Sequence, residues 1–75
     1  MPEIKVTVQI GKNGLSEETI QEIQKQLKAK KTIRIKYLRS FLDTTDKKEA
    51  TRLILENTQA ILLEQRGFII TIRKN

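Results

Sequence analysis

The sequence predicts an α/β fold of the α+β two-layer type, with its elements in the order β-α-β-α-β-β. Three observations lead to this prediction. Apolar and polar residues alternate over residues 4–10, apolar residues recur at helical spacing over residues 17–30, and two β-rich segments close the chain. Right-handed crossovers would place two helices on one face of a four-stranded mixed sheet.

The first strand and the first helix follow from two different periodicities. Residues 4–10 place isoleucine and valine on one face and polar residues on the other, which is typical of a half-buried strand. Ser16 is a favourable N-cap for a helix over residues 17–30, because the two glutamates that follow it lie where the helix dipole favours acids. The apolar residues of that segment predict an amphipathic helix.

The middle of the chain predicts a second strand, a loop and a second helix. Residues 32–38 alternate, with two isoleucines and Tyr37 on the buried face. Residues 39–46 are predicted to form a loop. Asp46 then precedes the second helix, and Glu49 follows it at the spacing of a capping box.

Two strands close the chain, over residues 61–65 and 68–73, and they are joined as a hairpin around Arg66 and Gly67. Phe68 has the parity of the buried isoleucines of its strand, so it is predicted to face inward. The sheet face away from the helices is therefore predicted to be open and basic, without aromatic residues on which bases stack. Its residues are Lys5, Thr7, Gln9, Arg34, Lys36, Thr71 and Arg73.

Composition limits the classes of function. Seventy-five residues form one domain with a modest core. Cysteine and histidine are absent, which excludes disulfides, cysteine–histidine metal sites and the usual general base near pH 7. We predict no enzymatic activity, no catalytic residue, no cofactor and no metal. The net charge of +6 indicates a polyanionic partner. No signal-peptide or membrane-spanning pattern occurs, so we expect a cytoplasmic protein without a membrane partner.

The segment GKNG, from Gly11 to Gly14, lies where the first strand turns into the first helix. Its glycines allow positive φ, and the N–H groups at a helix start favour an anion, so the backbone of this loop could clamp a phosphate. The simpler interpretation is that the glycines only permit the turn, and the pattern alone favours it. Glu17 and Glu18 also place negative charge beside the loop.

A run of basic residues strengthens the functional interpretation. Seven lysines and arginines and no acid occur from Lys25 to Arg39. The run could be a solvated helix end followed by a lysine-protected strand. Scattered solubilising charge normally mixes both signs, however, so we favour binding to a polyanion.

The segment VQIGKNGLSEETIQEIQKQL, followed by TIRIKYL, resembles the CRM domain (chloroplast RNA splicing and ribosome maturation) known from bacterial YhbY proteins. Gly11, Gly14, Leu15 and Ser16 match its signature of an apolar strand, G-x-x-G-L-[ST] and a helix. The resemblance spans nearly the whole chain, including the final FIITIR. It implies a fold similar to the C-terminal domain of translation initiation factor three.

The resemblance also implies a function, with two departures from the family. It implies that the chain contacts structured RNA, ribosomal RNA or a large-subunit precursor, in ribosome assembly. Family members usually begin with a basic helix, which this single domain over residues 1–75 lacks, and they carry a G-K-T-like turn where this chain has Arg66. The candidate RNA-binding residues are Lys5, Gly11, Lys12, Asn13, Gly14, Leu15, Lys28, Lys31, Arg34, Lys36, Arg39, Arg66 and Arg73.

Two other functions stay open at this point. The same basic face would suit a protein that coats DNA, and a strand that ends near Asn75 could offer an edge to a protein partner. The sequence does not determine which RNA is bound, the assembly step or the oligomeric state.

Overall fold

A computed structural model describes residues 6–12 and 14–75 and places seven elements in them. The α+β fold and the four-stranded mixed sheet predicted from the sequence are confirmed. The elements are β1 (Val6–Ile10), α1 (Glu17–Lys30), β2 (Thr32–Tyr37), α2 (Arg39–Leu42), α3 (Lys47–Thr58), β3 (Ile61–Arg66) and β4 (Ile69–Arg73).

Helix α2 is an addition to the predicted order, because residues 39–46 were predicted as a loop. Its single turn carries Phe41, which is 3% exposed and stacks on Tyr37 with ring centroids 5.7 Å apart. Burying this ring against the core stabilises a turn that the loop-like composition around it does not predict.

The strand order is β1-β2-β4-β3. Strand β1 runs parallel to β2, whereas β2–β4 and β4–β3 are antiparallel. The register shifts between Val6 and Val8 and again between Leu62 and Glu64. Strand β3 is thus an edge strand, and a two-residue turn joins it to β4.

The core lies between the inner face of the sheet and helices α1 and α3. Gln24 Nε2 of α1 donates to the Asn57 carbonyl of α3 at 2.9 Å, which ties the two helices together. The isoleucines and Tyr37 that alternation assigned to the inner faces of β2 and β4 are buried, as predicted. The buried apolar residues are Val8, Ile10, Ile23, Leu27, Ile33, Ile35, Tyr37, Phe41, Ala50, Ile54, Ile70 and Ile72.

The two predicted helix starts differ in outcome. Ser16 is the N-cap of α1 and accepts from the Thr19 N–H at 3.3 Å, as predicted. Asp46 is the N-cap residue of α3 but makes no side-chain capping bond. The predicted capping box is wrong because Glu49 turns instead to Arg52, a charged partner one turn along the exposed helix surface.

The inward placement of Phe68 is also wrong. Strand β4 begins only at Ile69, and Phe68 is the second residue of the hairpin turn, where its side chain is 55% exposed. Strand alternation does not extend into the turn, so it does not set the direction of this ring.

Over the described ranges, no helix is both long enough and apolar enough to cross a membrane.

Candidate nucleic-acid interface

The sheet topology brings three connections to one end of the molecule. Strands β1 and β2 are parallel and both finish there, where the Leu38 N–H donates to the Ile10 carbonyl at 2.8 Å. The β3–β4 turn reaches the same end, where the Tyr37 N–H donates to the Phe68 carbonyl at 2.8 Å. We call this the loop end, and it comprises residues 11, 12, 14 and 15, α2, the first turn of α3 and the β3–β4 turn.

The glycine loop is a tight turn in which each glycine has a structural reason. The Gly14 N–H donates to the Gly11 carbonyl at 2.9 Å, and Gly14 has a φ of +67° that favours glycine. A Cβ added at Gly11 would lie 2.9 Å from Leu38 Cδ1, closer than carbon atoms normally approach. The Gly14 amide, which the phosphate clamp would use, is therefore already engaged within the turn.

Gly14 and Leu15 contact neighbouring residues, whereas the Lys12 side chain lies in solvent. Thr19 Oγ1 donates to the Gly14 carbonyl at 3.2 Å, and Leu15 packs half-buried against the core. Lys12 is exposed in this turn. These contacts fix the backbone of the described loop residues, and the loop thereby presents the charge of Lys12 to solvent. Two predicted site residues, Lys5 and Asn13, lie outside the described residues.

Other basic side chains lie at the loop end together with Lys12. Lys36, at the end of β2, and Arg39, at the start of α2, are exposed, as is Arg66 beside the hairpin turn. The charges of these three residues, predicted separately from the sequence, are therefore brought to the same end of the sheet as the glycine loop.

Sequence reasoning missed two further cations of the loop end, Lys47 and Lys48. Both lie in the first turn of α3, and Lys47 Nζ donates to the Gly67 carbonyl at 2.9 Å. A helix dipole disfavours lysine at this position. Two adjacent lysines at a helix start were thus the sequence signal that could have identified them.

The outer face of the sheet, which the helices leave uncovered, extends the basic surface. Pairing places Arg34 and Glu64 opposite Thr71, and Lys36 and Arg66 opposite Ile69. Thr71, predicted to lie on an open face, is only 6% exposed. Thr71 lies in a shallow depression whose other lining residues are Arg34, Glu64, Arg66 and Ile69. The long side chains on this face therefore rise above it.

The charge of this outer face is mainly positive. The charged strand residues that point outward in the described register are Arg34, Lys36, Arg66 and Arg73 against Glu64, a balance of four positive charges to one negative. Arg66 Nε lies 3.8 Å from Glu64 Oε1, which leaves an excess of three positive charges on these outward strand residues. On the outer surface of α3, Arg52 bridges Glu49 and Glu56. A positive excess of this kind on the outer sheet face attracts polyanions.

The basic run from Lys25 to Arg39 does not form one patch. Lys28 and Lys31 lie at the opposite end of the sheet, where the Lys74 N–H donates to the Lys31 carbonyl at 2.7 Å. Arg73 is also at this far end, opposite Thr32. Strand β2 separates the two ends by five steps of roughly 3.3 Å, or about 17 Å. The run is continuous in sequence but divided in space.

A buried hydroxyl pair fixes the start of α3 against the sheet. The Tyr37 hydroxyl lies 2.7 Å from Thr51 Oγ1, which itself donates to the Lys47 carbonyl at 2.9 Å. Because the threonine hydroxyl has a single proton, Tyr37 is the donor to Thr51. Burial raises the pKa of Tyr37 above its ordinary value. The pair is structural, and it holds Lys47 at the loop end.

Known proteins provide an independent comparison. The family model of the CRS1 / YhbY (CRM) domain matches residues 2–73. The chain is also similar to a hypothetical protein of Staphylococcus aureus, a candidate RNA-binding protein whose structure was determined in solution. The TM-score is 0.77 at 32% sequence identity, over 96% of this chain and 73% of the other. No curated protein matches the chain significantly.

Proposed function

The chain belongs to the CRS1 / YhbY (CRM) domain family, and from this membership we propose that it binds structured RNA through the loop end and the outer sheet face. The observation that supports this most is that exposed cations lie with the glycine turn at one end of the sheet. Lys12 follows β1, Arg39 begins α2 and Arg66 ends β3, and all three lie at one end of the sheet.

The proposed mechanism is electrostatic capture. Lysine and arginine side chains replace the counterions of the phosphate backbone, so affinity falls steeply with salt. Because the Gly14 amide is engaged with Gly11 at 2.9 Å, the charge of Lys12 makes the contact at this turn. Backbone contacts of this kind position an RNA and do not read its sequence.

The length of the RNA decides which other cations take part. Arg34 and Lys36 continue the surface along β2 from the loop end. Lys28, Lys31 and Arg73 would be reached only by an RNA that extends about 17 Å along this strand. A short hairpin should therefore depend mainly on the loop end, and a longer duplex should use both ends.

We further propose that the natural ligand is ribosomal RNA or a precursor of the large subunit, and that the protein acts in ribosome assembly without catalysing a reaction. The family membership supports RNA as the ligand, and the ribosomal RNA is the finer proposal. An A-form duplex presents phosphates and 2′-hydroxyl groups across its shallow groove, which suits a basic surface without a deep pocket.

A competition experiment tests this function. A labelled ribosomal RNA hairpin is bound at near-physiological salt, and unlabelled structured RNA, single-stranded RNA and duplex DNA of equal length are added as competitors. We expect structured RNA to compete at least about tenfold better than duplex DNA, because only RNA offers the 2′-hydroxyl. Equal competition by duplex DNA would instead support the DNA-coating function.

A matched pair of variants tests the loop. Lys12→Ala should weaken binding to all RNA sequences by a similar factor and lower the salt slope by about 0.7 to 0.9, the value for one phosphate contact. Lys25→Ala removes the same charge from an exposed position in the middle of α1 and should change both quantities much less. Unchanged affinity and slope for Lys12→Ala would remove Lys12 from the interface.

A further inference from the structure

Phe68 is an exposed aromatic residue at the loop end. Its side chain is 55% exposed at the tip of the β3–β4 hairpin, which makes it the most exposed large apolar residue of the described chain. A single exposed apolar side chain is ordinary on a protein surface, so exposure alone does not indicate a function. The fixed backbone and the charges around the Phe68 ring do indicate a function.

The backbone of the turn is held on both sides of the ring. The Phe68 carbonyl accepts from the Tyr37 N–H at 2.8 Å, and the Gly67 carbonyl accepts from Lys47 Nζ at 2.9 Å. Gly67 has a φ of +59°, as two-residue hairpin turns require. The ring therefore projects from a fixed base, and a ligand that stacks on it loses little conformational entropy.

The charges around Phe68 suit a nucleotide better than a protein. The Arg66 side chain lies two residues before the ring and is 89% exposed, so its 3.8 Å ion pair with Glu64 is open to solvent and weak. Lys47 donates a hydrogen bond to the residue next to the ring. Other exposed apolar residues occur on β3, but the nearest, Leu63, precedes Arg66 by three residues, or about 10 Å of strand. The surroundings of Phe68 are cationic.

We propose that Phe68 is the platform on which one unpaired RNA base stacks, with the adjoining phosphates held by Arg66 and Lys47. This inference rests on the proposed RNA binding and makes it more specific. Aromatic stacking needs a base that is free of its own duplex stack, so the preferred RNA contains a bulge, a loop or a single-stranded end. A fully paired helix would touch the cations and not the ring.

The experiment compares two hairpins that differ by one bulged nucleotide. Removal of a stacking aromatic residue costs about 5-fold to 150-fold in affinity. Phe68→Ala should therefore weaken binding to the bulged hairpin by such a factor and to the paired hairpin by less than about twofold. Phe68→Tyr, which keeps an aromatic ring, should retain most of the wild-type affinity for the bulged hairpin. The matched control is Leu63→Ala, since Leu63 is 51% exposed on the same hairpin, and it should change neither affinity.

A second readout reports stacking directly. A 2-aminopurine at the bulge should lose fluorescence when the wild-type protein binds and keep it when Phe68→Ala binds. Equal losses of affinity for both hairpins, or an equal effect of Leu63→Ala, would overturn the inference. If the wild-type protein binds both hairpins and Phe68→Ala changes nothing, only the stacking fails. If the wild-type protein binds neither hairpin, the proposed RNA binding fails with it.

Discussion

The close approach of Gly11 to Leu38 allows a quantitative test of what the first glycine of the loop does. An alanine Cβ at position 11 would lie 2.9 Å from Leu38 Cδ1, whereas carbon atoms prefer about 3.5 to 4.0 Å. Overpacking in a core costs about 1–3 kcal/mol, and the cost here should lie at the low end because Leu38 Cδ1 is the end of a flexible, half-buried side chain that can shift. We expect Gly11→Ala to lower the free energy of unfolding by about 1 kcal/mol, which corresponds to roughly 4–8 °C in Tm for a domain of this size.

The assay is a double-mutant cycle followed by urea denaturation. Leu38→Ala removes the atom that a Cβ at Gly11 would meet, so Gly11→Ala should cost about 1 kcal/mol less in that background than in the wild type. Additive effects, to within about 0.5 kcal/mol, would refute the steric explanation. The RNA affinity of the double variant should match that of Leu38→Ala alone, because Gly11 has a structural role in this account. A further loss of affinity would show that Gly11 also contacts the RNA.

Three other predictions concern the same structure. Gly14→Ala places a side chain at a φ of +67° and should lower the unfolding free energy by about 1 kcal/mol, measured by urea denaturation; no loss would contradict the need for glycine here. Gln59→Gly should raise the free energy of unfolding by about 0.5 kcal/mol, because Gln59 ends α3 at a φ of +55°, which glycine adopts more easily. A lower Tm would contradict this. Because the pKa of Tyr37 is raised in the folded protein, the neutral tyrosine contributes its full stabilisation to the fold below pH 10.0. This contribution is lost as the pH rises through the folded pKa. Tyr37→Phe should remove that part of the pH dependence, and tyrosinate absorbance of the wild type, which has a single tyrosine, should show the late titration.

The regular elements could be predicted because each is defined by local periodicity. The alternation of β2 and the apolar spacing of α1 depend on which side of one element is buried, and both were recovered. The failures lie where two competing local contacts are possible and periodicity does not decide between them. Phe41 forms a helical turn because it packs on Tyr37, and Glu49 leaves its capping position for Arg52. Both partners lie within four residues in sequence, but spacing alone does not show that these contacts prevail over a loop or a capping box.

The candidate site was less predictable than the fold because long-range contacts bring its residues together. The basic run is continuous in sequence, but strand β2 lies within it. The residues before and after β2 are therefore at opposite ends of the sheet. Conversely, Lys47 and Phe68 are 21 residues apart in sequence and meet through the hydrogen bond between Lys47 Nζ and the Gly67 carbonyl. Only the pairing of β2 with β4 shows that the hairpin turn and the glycine loop share one end.

The most direct test of the RNA-binding surface compares two triple variants of equal charge. Lys12→Gln, Arg39→Gln and Arg66→Gln alter the loop end, whereas Lys25→Gln, Lys28→Gln and Lys30→Gln alter α1; each set reduces the net charge from +6 by three, to +3.

The measurement is the affinity of both triple variants for one short RNA hairpin as a function of salt. We predict that the loop-end variant loses about 2 to 3 units of salt slope, at 0.7 to 0.9 for each phosphate contact, and binds far more weakly. The α1 variant should stay close to the wild type. Equal losses in both variants would mean that the protein attracts RNA by its net charge alone, and a larger loss in the α1 variant would place the surface at the other end of the sheet.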